Sequence, residues 1–148
     1  MSSDFPFSTA RSSLLNTETF RNLLGNALEN STKSVIILSA YVKTVGVNWL
    51  KEKISDKKIN CTIVTRWNNG DLAQGSSDLE CYHLAKKNNW SFKVLQDLHA
   101  KVMLVDNDIL FIGSPNLTGR GMSLVPVSNE ELGIKVKALK EDLKIINQ

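Results

Sequence analysis

The sequence has 148 residues, enough for one domain with a buried core, and carries a net charge of +3. Hydrophobic residues make up 42% and charged residues 22%, the composition of an ordinary globular protein, and no apolar run is long enough to span a bilayer. The mild positive charge permits a polyanionic substrate but does not require one.

The N-terminus and the cysteines indicate a cytoplasmic protein. The first residues lack the positive region and the apolar core of a signal peptide. Cys61 and Cys81 are too few for a disulfide framework, and we expect both to be free thiols. The pair Cys81 and His83 lacks the further ligands of a zinc site, so neither a metal nor another cofactor is expected.

The first half of the chain has the pattern of an α/β protein. Residues 1–16 are rich in Ser and Thr, and we expect a flexible arm there, followed by a single domain over residues 17–148. A helix is predicted from apolar residues at helical spacing, namely Phe20, Leu23, Leu24, Ala27 and Leu28. The apolar run over 35–38 predicts a strand covered on both faces. A helical pattern at Val47, Leu50 and Ile54 and a short strand over 61–64 then predict a parallel pair with a right-handed crossover.

A polar loop follows this second strand, from Arg66 to Leu72. Loops at the carboxyl ends of strands commonly bind ligands in α/β proteins. Arg66 and Trp67 can there grip a phosphate and stack a base, although packing of the tryptophan on its own domain is an equal alternative. Ser77 and Glu80 have the spacing of a capping box, which predicts a helix that begins there and ends near residue 87.

A β-hairpin is predicted after a further strand over 92–95. The runs 101–105 and 109–112 are apolar and of strand length, and Asp-Asn-Asp at 106–108 is typical of a turn. Because residues two apart on a strand share a face, His99 and Lys101 point the same way. The hairpin returns Ser114 and Asn116 to the neighbourhood of this pair.

These side chains suit chemistry on a phosphodiester. An imidazole such as that of His99 can attack phosphorus or move a proton near neutral pH. Lys101 and Asn116 can hold the non-bridging oxygens as charge builds on them. Gly113 has no Cβ, which lets a phosphate approach the backbone.

The remaining segments complete a mixed sheet. Residues 117–122 are a loop or the start of a helix, and Arg120 is close enough to the hairpin residues to touch an extended substrate backbone. Leu132, Ile134 and Val136 alternate as in a last strand, and residues 140–148 predict a short terminal helix. We therefore expect an α/β fold with a mixed, largely parallel β-sheet flanked by helices.

The hairpin residues resemble the signature of the phospholipase D superfamily, which reads His-x-Lys, four residues, Asp, and later Gly-Ser-x-Asn. The match holds at all the fixed positions, which are His99, Lys101, Asp106, Gly113, Ser114 and Asn116. A glutamate on a later strand often completes such a site, and the resemblance places it at Glu131, with Glu130 as the alternative. The resemblance implies a phospholipase D-like fold.

The resemblance also implies a metal-free phosphoryl transfer in two steps. Members generally build one active site from two such motifs, and this chain has a single one, so we expect a homodimer in which both copies of His99 serve one site. One imidazole attacks phosphorus to form a phosphohistidine, and the other protonates the leaving oxygen.

Roles for the other motif residues follow from the same resemblance. Lys101 and Asn116 stabilise the transition state, and Ser114 bonds near the phosphate. Glu131 holds the second imidazole nitrogen and fixes its tautomer. Asp106 lies at the hairpin turn, away from the histidine, and we expect it mainly to order the fold.

The substrate class is a separate inference. A short chain with a single motif is similar to the nuclease branch, which includes small endonucleases and the nuclease domains of some metal-independent restriction enzymes. The expected partner is therefore a nucleic acid and not a membrane, while DNA against RNA, and membership of a larger nuclease or restriction system, stay open. One alternative is an enzyme acting on phospholipids, although the sequence has no strongly amphipathic basic helix with exposed aromatics that would bind a lipid surface. The other is a nucleic-acid-binding dimer whose catalytic site has lost its activity.

Overall fold

The computed structural model of the protein describes residues 14–54 and 57–148. The strands are β1 (Leu15–Asn16), β2 (Ser34–Ser39), β3 (Asn60–Thr65), β4 (Ser91–Val94), β5 (Lys101–Val105), β6 (Ile109–Gly113) and β7 (Leu132–Lys137). The helices are α1 (Thr17–Glu29), α2 (Thr44–Ile54), α3 (Asn69–Ala73), α4 (Glu80–Lys87) and α5 (Lys140–Ile146). None of these helices is both long enough and apolar enough to cross a bilayer.

The arm expected over residues 1–16 is only partly open to comparison. Its first 13 residues lie outside the described residues. Leu15 and Asn16, by contrast, form β1 and pair with Gly133 and Leu132 at the start of β7. The folded part of the chain therefore begins before residue 17.

All the strands join one seven-stranded sheet in the order β1-β7-β6-β5-β2-β3-β4. Strands β2, β3 and β4 are parallel neighbours, as the strand-helix-strand pattern predicted. The β5–β6 hairpin and β7 add antiparallel neighbours, so in the described part of the chain two pairings are parallel and four are antiparallel. The mixed α/β sheet is confirmed, with a smaller parallel share than predicted because the hairpin pairs directly with β2.

One face of the sheet is covered by helices and holds the core. Its inward side chains are almost fully buried and include Val35, Ile37, Ile63, Met103 and Phe111. Helix α1 packs on this face through Phe20, whose ring meets that of Phe111 edge-on at 5.6 Å between centroids. Helix α1 contacts α2, and α2 contacts α4, so these helices form a continuous layer.

The opposite face carries a second row of apolar side chains. Val102, Ile112 and Ile134 lie side by side on it, since paired residues of neighbouring antiparallel strands share a face. Ile112 is 38% exposed, and Leu132 at the start of β7 is 58% exposed. The prediction that β2 is covered on both faces is wrong for a single chain, because alternate residues of β2 are only half-buried.

Helix α4 begins later than the capping pattern predicted. Its N-cap is Leu79, which makes no side-chain cap bond. Ser77 is instead buried and its Oγ accepts a hydrogen bond from the N–H of Val42, while the Asp78 carboxylate accepts from the N–H and the hydroxyl of Thr44. The capping-box prediction is wrong because these polar groups tie the loop before α4 to the start of α2.

Asp106 orders the turn between β5 and β6. Asp106 and Asn107 both have positive φ, 55° and 54°, which Asp and Asn tolerate better than most residues. The Asp106 carboxylate accepts hydrogen bonds of 2.8 to 3.1 Å from the N–H groups of Thr32, Lys33 and Ser34. Partial burial opposes ionisation, but these N–H groups outweigh it and lower the pKa of Asp106. The structure therefore gives Asp106 the ordering role expected of it.

The substitution Asp106→Asn tests this role. Asn tolerates the positive φ and keeps one acceptor oxygen, but it removes the charge that the backbone N–H groups share. We expect the free energy of unfolding at pH 7 to fall by about 2 kcal/mol, measured by urea titration. The control Asp108→Asn changes an exposed carboxylate of the same turn, whose ion pair with Lys137 lies at the surface, and should cost less than about 0.5 kcal/mol.

The pH dependence of this effect follows from the direction of the pKa shift. Because the pKa of Asp106 is lower in the folded chain, the ionised carboxylate stabilises the fold fully above the unfolded value of about 3.9, and this contribution is lost as the pH falls through the folded pKa. The gap between wild type and Asp106→Asn should therefore close in acid. A gap that stays constant down to acid unfolding would contradict the role of the carboxylate.

Candidate active site

The predicted site residues gather at the edge of the sheet where β2 ends. Lys101 begins β5 and pairs with Ser39, the last residue of β2. Gly113 ends β6, beside the start of β7. Because β5 begins and β6 ends at this edge, the segments that carry His99 and Asn116 lie together there, as the hairpin predicted.

His99 presents an exposed imidazole next to the lysine of the motif. Lys101 is half-buried, and its Nζ donates a hydrogen bond to the backbone oxygen of His99 at 3.2 Å. The imidazole itself has no hydrogen-bond partner in residues 14–54 and 57–148. A solvent-facing imidazole beside an ammonium group is available as a nucleophile or as a proton carrier.

The side-chain amide of Asn116 is oriented by two donors. Its Oδ1 accepts hydrogen bonds from the N–H of Tyr41 at 3.1 Å and from the hydroxyl of Ser39 at 3.2 Å. Since a backbone N–H can only donate, the amide oxygen must face Tyr41 and the NH₂ group must face away from it. The NH₂ group has no partner within the described chain, so both its N–H bonds remain available to donate to a ligand.

Ser39 is a site residue that sequence reasoning missed. It is fully buried, and its Oγ accepts a hydrogen bond from the N–H of Leu117 at 2.9 Å. The same hydroxyl lies 2.7 Å from the backbone oxygen of Tyr41 and 3.2 Å from Asn116 Oδ1, so these two acceptors share its single proton. The signal that points to Ser39 is a polar residue directly after the apolar run of β2.

Two close backbone approaches hold the segment around Asn116. A Cβ at Gly46 would lie 2.4 Å from the backbone oxygen of Leu117, and a Cβ at Gly121 would lie 2.5 Å from that of Asn116. Because glycine has no Cβ, the two backbone segments can pack this closely without a clash. The start of α2 and the turn after Asn116 therefore clamp this segment from two directions.

Gly113 also has a structural reason to be glycine. A Cβ at this position would lie 2.4 Å from the backbone oxygen of Leu132. The backbone of β7 comes so close to β6 here that a side chain would not fit. Packing of the strands explains this residue, and its contact with a phosphate stays a prediction.

Ser114 and Glu131 form a hydrogen-bonded pair at the same edge. The Ser114 hydroxyl donates to one carboxylate oxygen of Glu131 at 2.5 Å, and Asn129 Nδ2 donates to the other at 3.1 Å. Glu131 rather than Glu130 is therefore the glutamate that bonds Ser114, and its part in an active site stays a prediction. The predicted bond from Glu131 to the imidazole of His99 is absent from the described residues, because this carboxylate is engaged with Ser114 and Asn129.

Arg66 lies behind the site and holds Tyr41. Its guanidinium makes a bidentate ion pair with Asp71, with bonds of 2.9 and 3.0 Å, and also donates to the Tyr41 hydroxyl at 2.7 Å. The hydrogen bonds between the pair raise the pKa of Arg66 and lower that of Asp71. Arg66 therefore fixes the side chain of Tyr41, whose N–H orients Asn116, and its predicted contact with substrate stays a prediction.

Trp67 and Arg120 differ in their access to the site. The Trp67 ring packs against Phe92 with 5.1 Å between centroids, and its buried Nε1 has no hydrogen-bond partner within the described chain. Packing on its own domain thus accounts for Trp67, while base stacking stays a prediction. Arg120 is exposed and lines a cleft that Asn116 borders, in keeping with the expected contact to an extended substrate.

The cysteines take no part in this site. Both are buried free thiols, as expected, and burial raises the pKa of Cys61 and that of Cys81 to about 12. Over residues 14–54 and 57–148, no three His, Cys, Asp or Glu side chains come together in an arrangement that could hold a metal ion.

Comparison with known families identifies the domain. The family described as "Cardiolipin synthase, PLD-like domain" matches residues 24–147. The chain belongs to this PLD-like domain family. The phospholipase D resemblance of the hairpin residues is thereby confirmed, and the match spans nearly all the elements from α1 to α5.

Solved structures of low sequence identity share the PLD-like fold. NucT from Helicobacter pylori has a TM-score of 0.69 at 18% identity, and the match covers 93% of this chain and 91% of that chain. Nuc from Salmonella typhimurium, described as a phospholipase D family member, has a TM-score of 0.69 at 16% identity with the same coverage, 93% and 91%. Phosphatidylserine synthase from Haemophilus influenzae Rd KW20 has a TM-score of 0.69 at 12% identity and covers 92% of this chain but only 35% of that chain. The sequence matches no curated protein significantly.

The substitution Ser39→Ala tests the junction that orients Asn116. It removes the acceptor of the Leu117 N–H and one of the two donors to the amide, so we expect a loss of about 1 to 3 kcal/mol in the free energy of unfolding. Urea titration measures this loss, and the NMR signals of the Asn116 NH₂ group report whether the amide loses its fixed orientation.

The matched control is Ser34→Ala at the other end of β2. The Ser34 hydroxyl is buried without a hydrogen-bond partner in the described part of the chain, so its removal should be neutral or stabilising. Equal losses for the two serine variants, or an unchanged Asn116 signal in Ser39→Ala, would contradict the assigned role of Ser39.

Proposed function

We propose that this PLD-like domain is a metal-independent phosphodiesterase, and more specifically an endonuclease that hydrolyses DNA or RNA. The observation that carries the proposal is the exposed, unpartnered imidazole of His99 beside Lys101, at the edge where Asn116 offers a free NH₂ group. Membership of the family supports phosphodiester chemistry. The fold shared with NucT and Nuc, which carry nuclease names, favours the nuclease branch.

The proposed reaction has two steps. In the first, an imidazole nitrogen of His99 attacks phosphorus, the new P–N bond forms as the P–O bond to the leaving group breaks, and His99 of the partner subunit gives its proton to the leaving oxygen. In the second, the same partner imidazole takes a proton from water, whose oxygen attacks phosphorus and breaks the P–N bond. Lys101 and the NH₂ group of Asn116 stabilise the charge on the non-bridging oxygens, and Ser114, held by Glu131, hydrogen-bonds near the phosphate.

A homodimer is part of the proposal, because this chemistry uses two histidines and the chain supplies one motif. Two exposed apolar residues border the candidate site. Ile112 directly precedes Gly113 in the chain, and Leu132 directly follows Glu131. Exposed apolar patches often mark protein interfaces. A second copy that covers this patch would lie next to the edge that carries the candidate site, as a shared site requires.

The wider setting of the domain is also proposed. We take residues 17–148 as the single catalytic domain and residues 1–16 as an arm, although strand β1 joins the arm to the sheet. Free buried thiols favour a cytoplasmic location. The proposed partner is a nucleic acid, within or outside a larger nuclease or restriction system.

A second candidate function is action on phospholipids. The description of the family, which names cardiolipin synthase, favours it. Lys43 and Arg120, the two cations that line the cleft beside Asn116, favour a substrate with more than one phosphate, which opposes lipids that carry a single phosphate. The third candidate, a nucleic-acid-binding dimer without activity, is opposed by the intact set of His99, Lys101 and Asn116.

The first test asks which class of substrate is cleaved, whether cleavage needs a metal ion, and whether His99 is the nucleophile. Wild-type protein is incubated in EDTA with single-stranded and double-stranded DNA and RNA and, in parallel, with phospholipid vesicles. We expect cleavage of nucleic acid in EDTA and a loss on the order of 10³-fold or more in His99→Ala. When the reaction with a phosphate-labelled substrate is quenched rapidly, label that stays on His99 and is acid-labile but alkali-stable identifies the phosphohistidine.

The control for this test is His83→Ala, which removes the other histidine of the chain from the exposed surface of α4 and should retain wild-type activity. Activity that EDTA abolishes and magnesium restores would refute metal independence. Cleavage of lipid alone would select the second candidate, and binding without cleavage by wild type would select the third.

Subunit mixing tests whether two histidines share one site. If both copies of His99 serve one site, a mixed dimer of wild type and His99→Ala is nearly inactive. After full exchange in an equal mixture, about a quarter of the dimers are then active by random pairing. Independent sites would leave about half of the activity and a linear dependence on the wild-type fraction.

The exposed apolar patch offers a second measurement of the dimer. Ile112→Lys places a charge beside the site on the uncovered sheet face and should shift the protein to monomers with loss of cleavage. Leu79→Lys, a control at another exposed apolar residue before α4, should leave both unchanged. Analytical ultracentrifugation measures the mass, and a monomer that still cleaves would rule out the shared site.

A further inference from the structure

A cleft of about 580 Å³ borders Asn116 and has a one-sided charge. Lys43 and Arg120 line it, and no carboxylate is among its described lining residues. Neither cation has an ion-pair partner in residues 14–54 and 57–148. Two cations without a carboxylate beside them in a concave surface attract an anion. Neither His99 nor Lys101 lines this cleft, so it is a feature separate from those two residues.

Both cations stand on fixed backbone. The N–H of Lys43 donates to the backbone oxygen of Leu117 at 3.0 Å, and the backbone oxygen of Arg120 accepts from the N–H of Asn129 at 3.0 Å. The first bond ties Lys43 to the residue next to Asn116, and the second fixes the backbone of Arg120, which follows Asn116 by four residues. The positions from which the cations act are therefore set relative to the amide that is proposed to hold the scissile phosphate.

The walls of the cleft suit a nucleoside more than a bare anion. Val45 and Val125 supply apolar surface, and Tyr41 adds an aromatic side chain whose ring Arg66 approaches to 4.9 Å. A sugar or base can pack on such surface while its phosphate meets the cations at the rim.

We propose that this cleft binds the nucleotide next to the scissile phosphate, with Lys43 and Arg120 on the neighbouring phosphate. The inference rests on the proposed function and deepens it, since it names a substrate with at least two consecutive phosphodiesters. Asn116 belongs to both the catalytic set and the cleft, so a strand whose scissile phosphate lies on Asn116 enters the cleft with its next residue. A phospholipid with a single phosphate would leave these cations unpaired.

The first experiment is a length series of single-stranded oligonucleotides with one, two and three phosphodiesters. We expect the ratio of kcat/KM between the substrates with two and with one phosphodiester to fall on the order of tenfold in the double variant Lys43→Ala and Arg120→Ala. The control variant, Lys58→Ala with Lys87→Ala, removes the same charge from exposed positions outside the cleft and should keep the wild-type ratio.

The second experiment measures binding without turnover. Fluorescence anisotropy follows a labelled oligonucleotide binding to His99→Ala, alone and combined with either pair of substitutions, over a range of salt concentrations. Loss of one phosphate contact should reduce the slope of log K against log salt by about 0.7 for a single strand, in the cleft variant only.

The outcomes separate the cleft from the catalytic proposal. Binding with the expected change of slope, in a wild-type protein that cleaves nothing, would refute the proposed catalysis and support the cleft. Equal slopes and equal length ratios in the two double variants would overturn the cleft proposal even in an active nuclease. A loss in the cleft variant that is as large for one phosphodiester as for two would also overturn it, because the cations would then act on the scissile phosphate.

Discussion

The hydrogen bonds that Ser39 and Tyr41 make to Asn116 are the constraint on which the candidate site depends. They join the end of the interior strand β2 to the segment after β6, and the pairing of Ser39 with Lys101 adds β5 to the same point. A lysine, an amide and the histidine next to the lysine are thereby fixed at one strand end. Burial of Ser39 strengthens this junction, since water cannot compete for its hydroxyl group.

Support for this junction reaches outward in layers. The ion pair of Arg66 with Asp71 holds the Tyr41 ring, and Asp71 is almost fully buried, so a loose arrangement would leave a charge without solvent or partner. Gly46 and Gly121 let two backbone segments close on the stretch around Asn116. The loop that follows β3 therefore supports the site through its packing, although within residues 14–54 and 57–148 its arginine makes no hydrogen bond to the motif residues themselves.

Local and long-range features differed in how far they could be predicted. The hairpin, its turn and the grouping of His99, Lys101 and Asn116 follow from spacings of a few residues, which strand periodicity interprets directly. Ser39 and Tyr41 meet Asn116 across 77 and 75 residues of sequence, and no periodicity reports such a contact. The same limit explains why Ser77 does not cap a helix, since its hydroxyl accepts a hydrogen bond from the distant Val42 instead. It also explains the antiparallel share of the sheet, which depends on the position of the hairpin beside β2.

In a single chain, the edge that carries the site lacks two things. One is chemical, because the proposed reaction uses a nucleophile and an acid and this edge offers one imidazole. The other is physical, because Ile112 and Leu132 expose apolar surface beside the motif on the face that the helices leave uncovered. In the proposed dimer, a second copy seated at this edge would supply the second imidazole and would also cover the apolar surface of Ile112 and Leu132. Association and catalysis would then depend on the same surface, and a change that weakens the contact would also separate the two histidines.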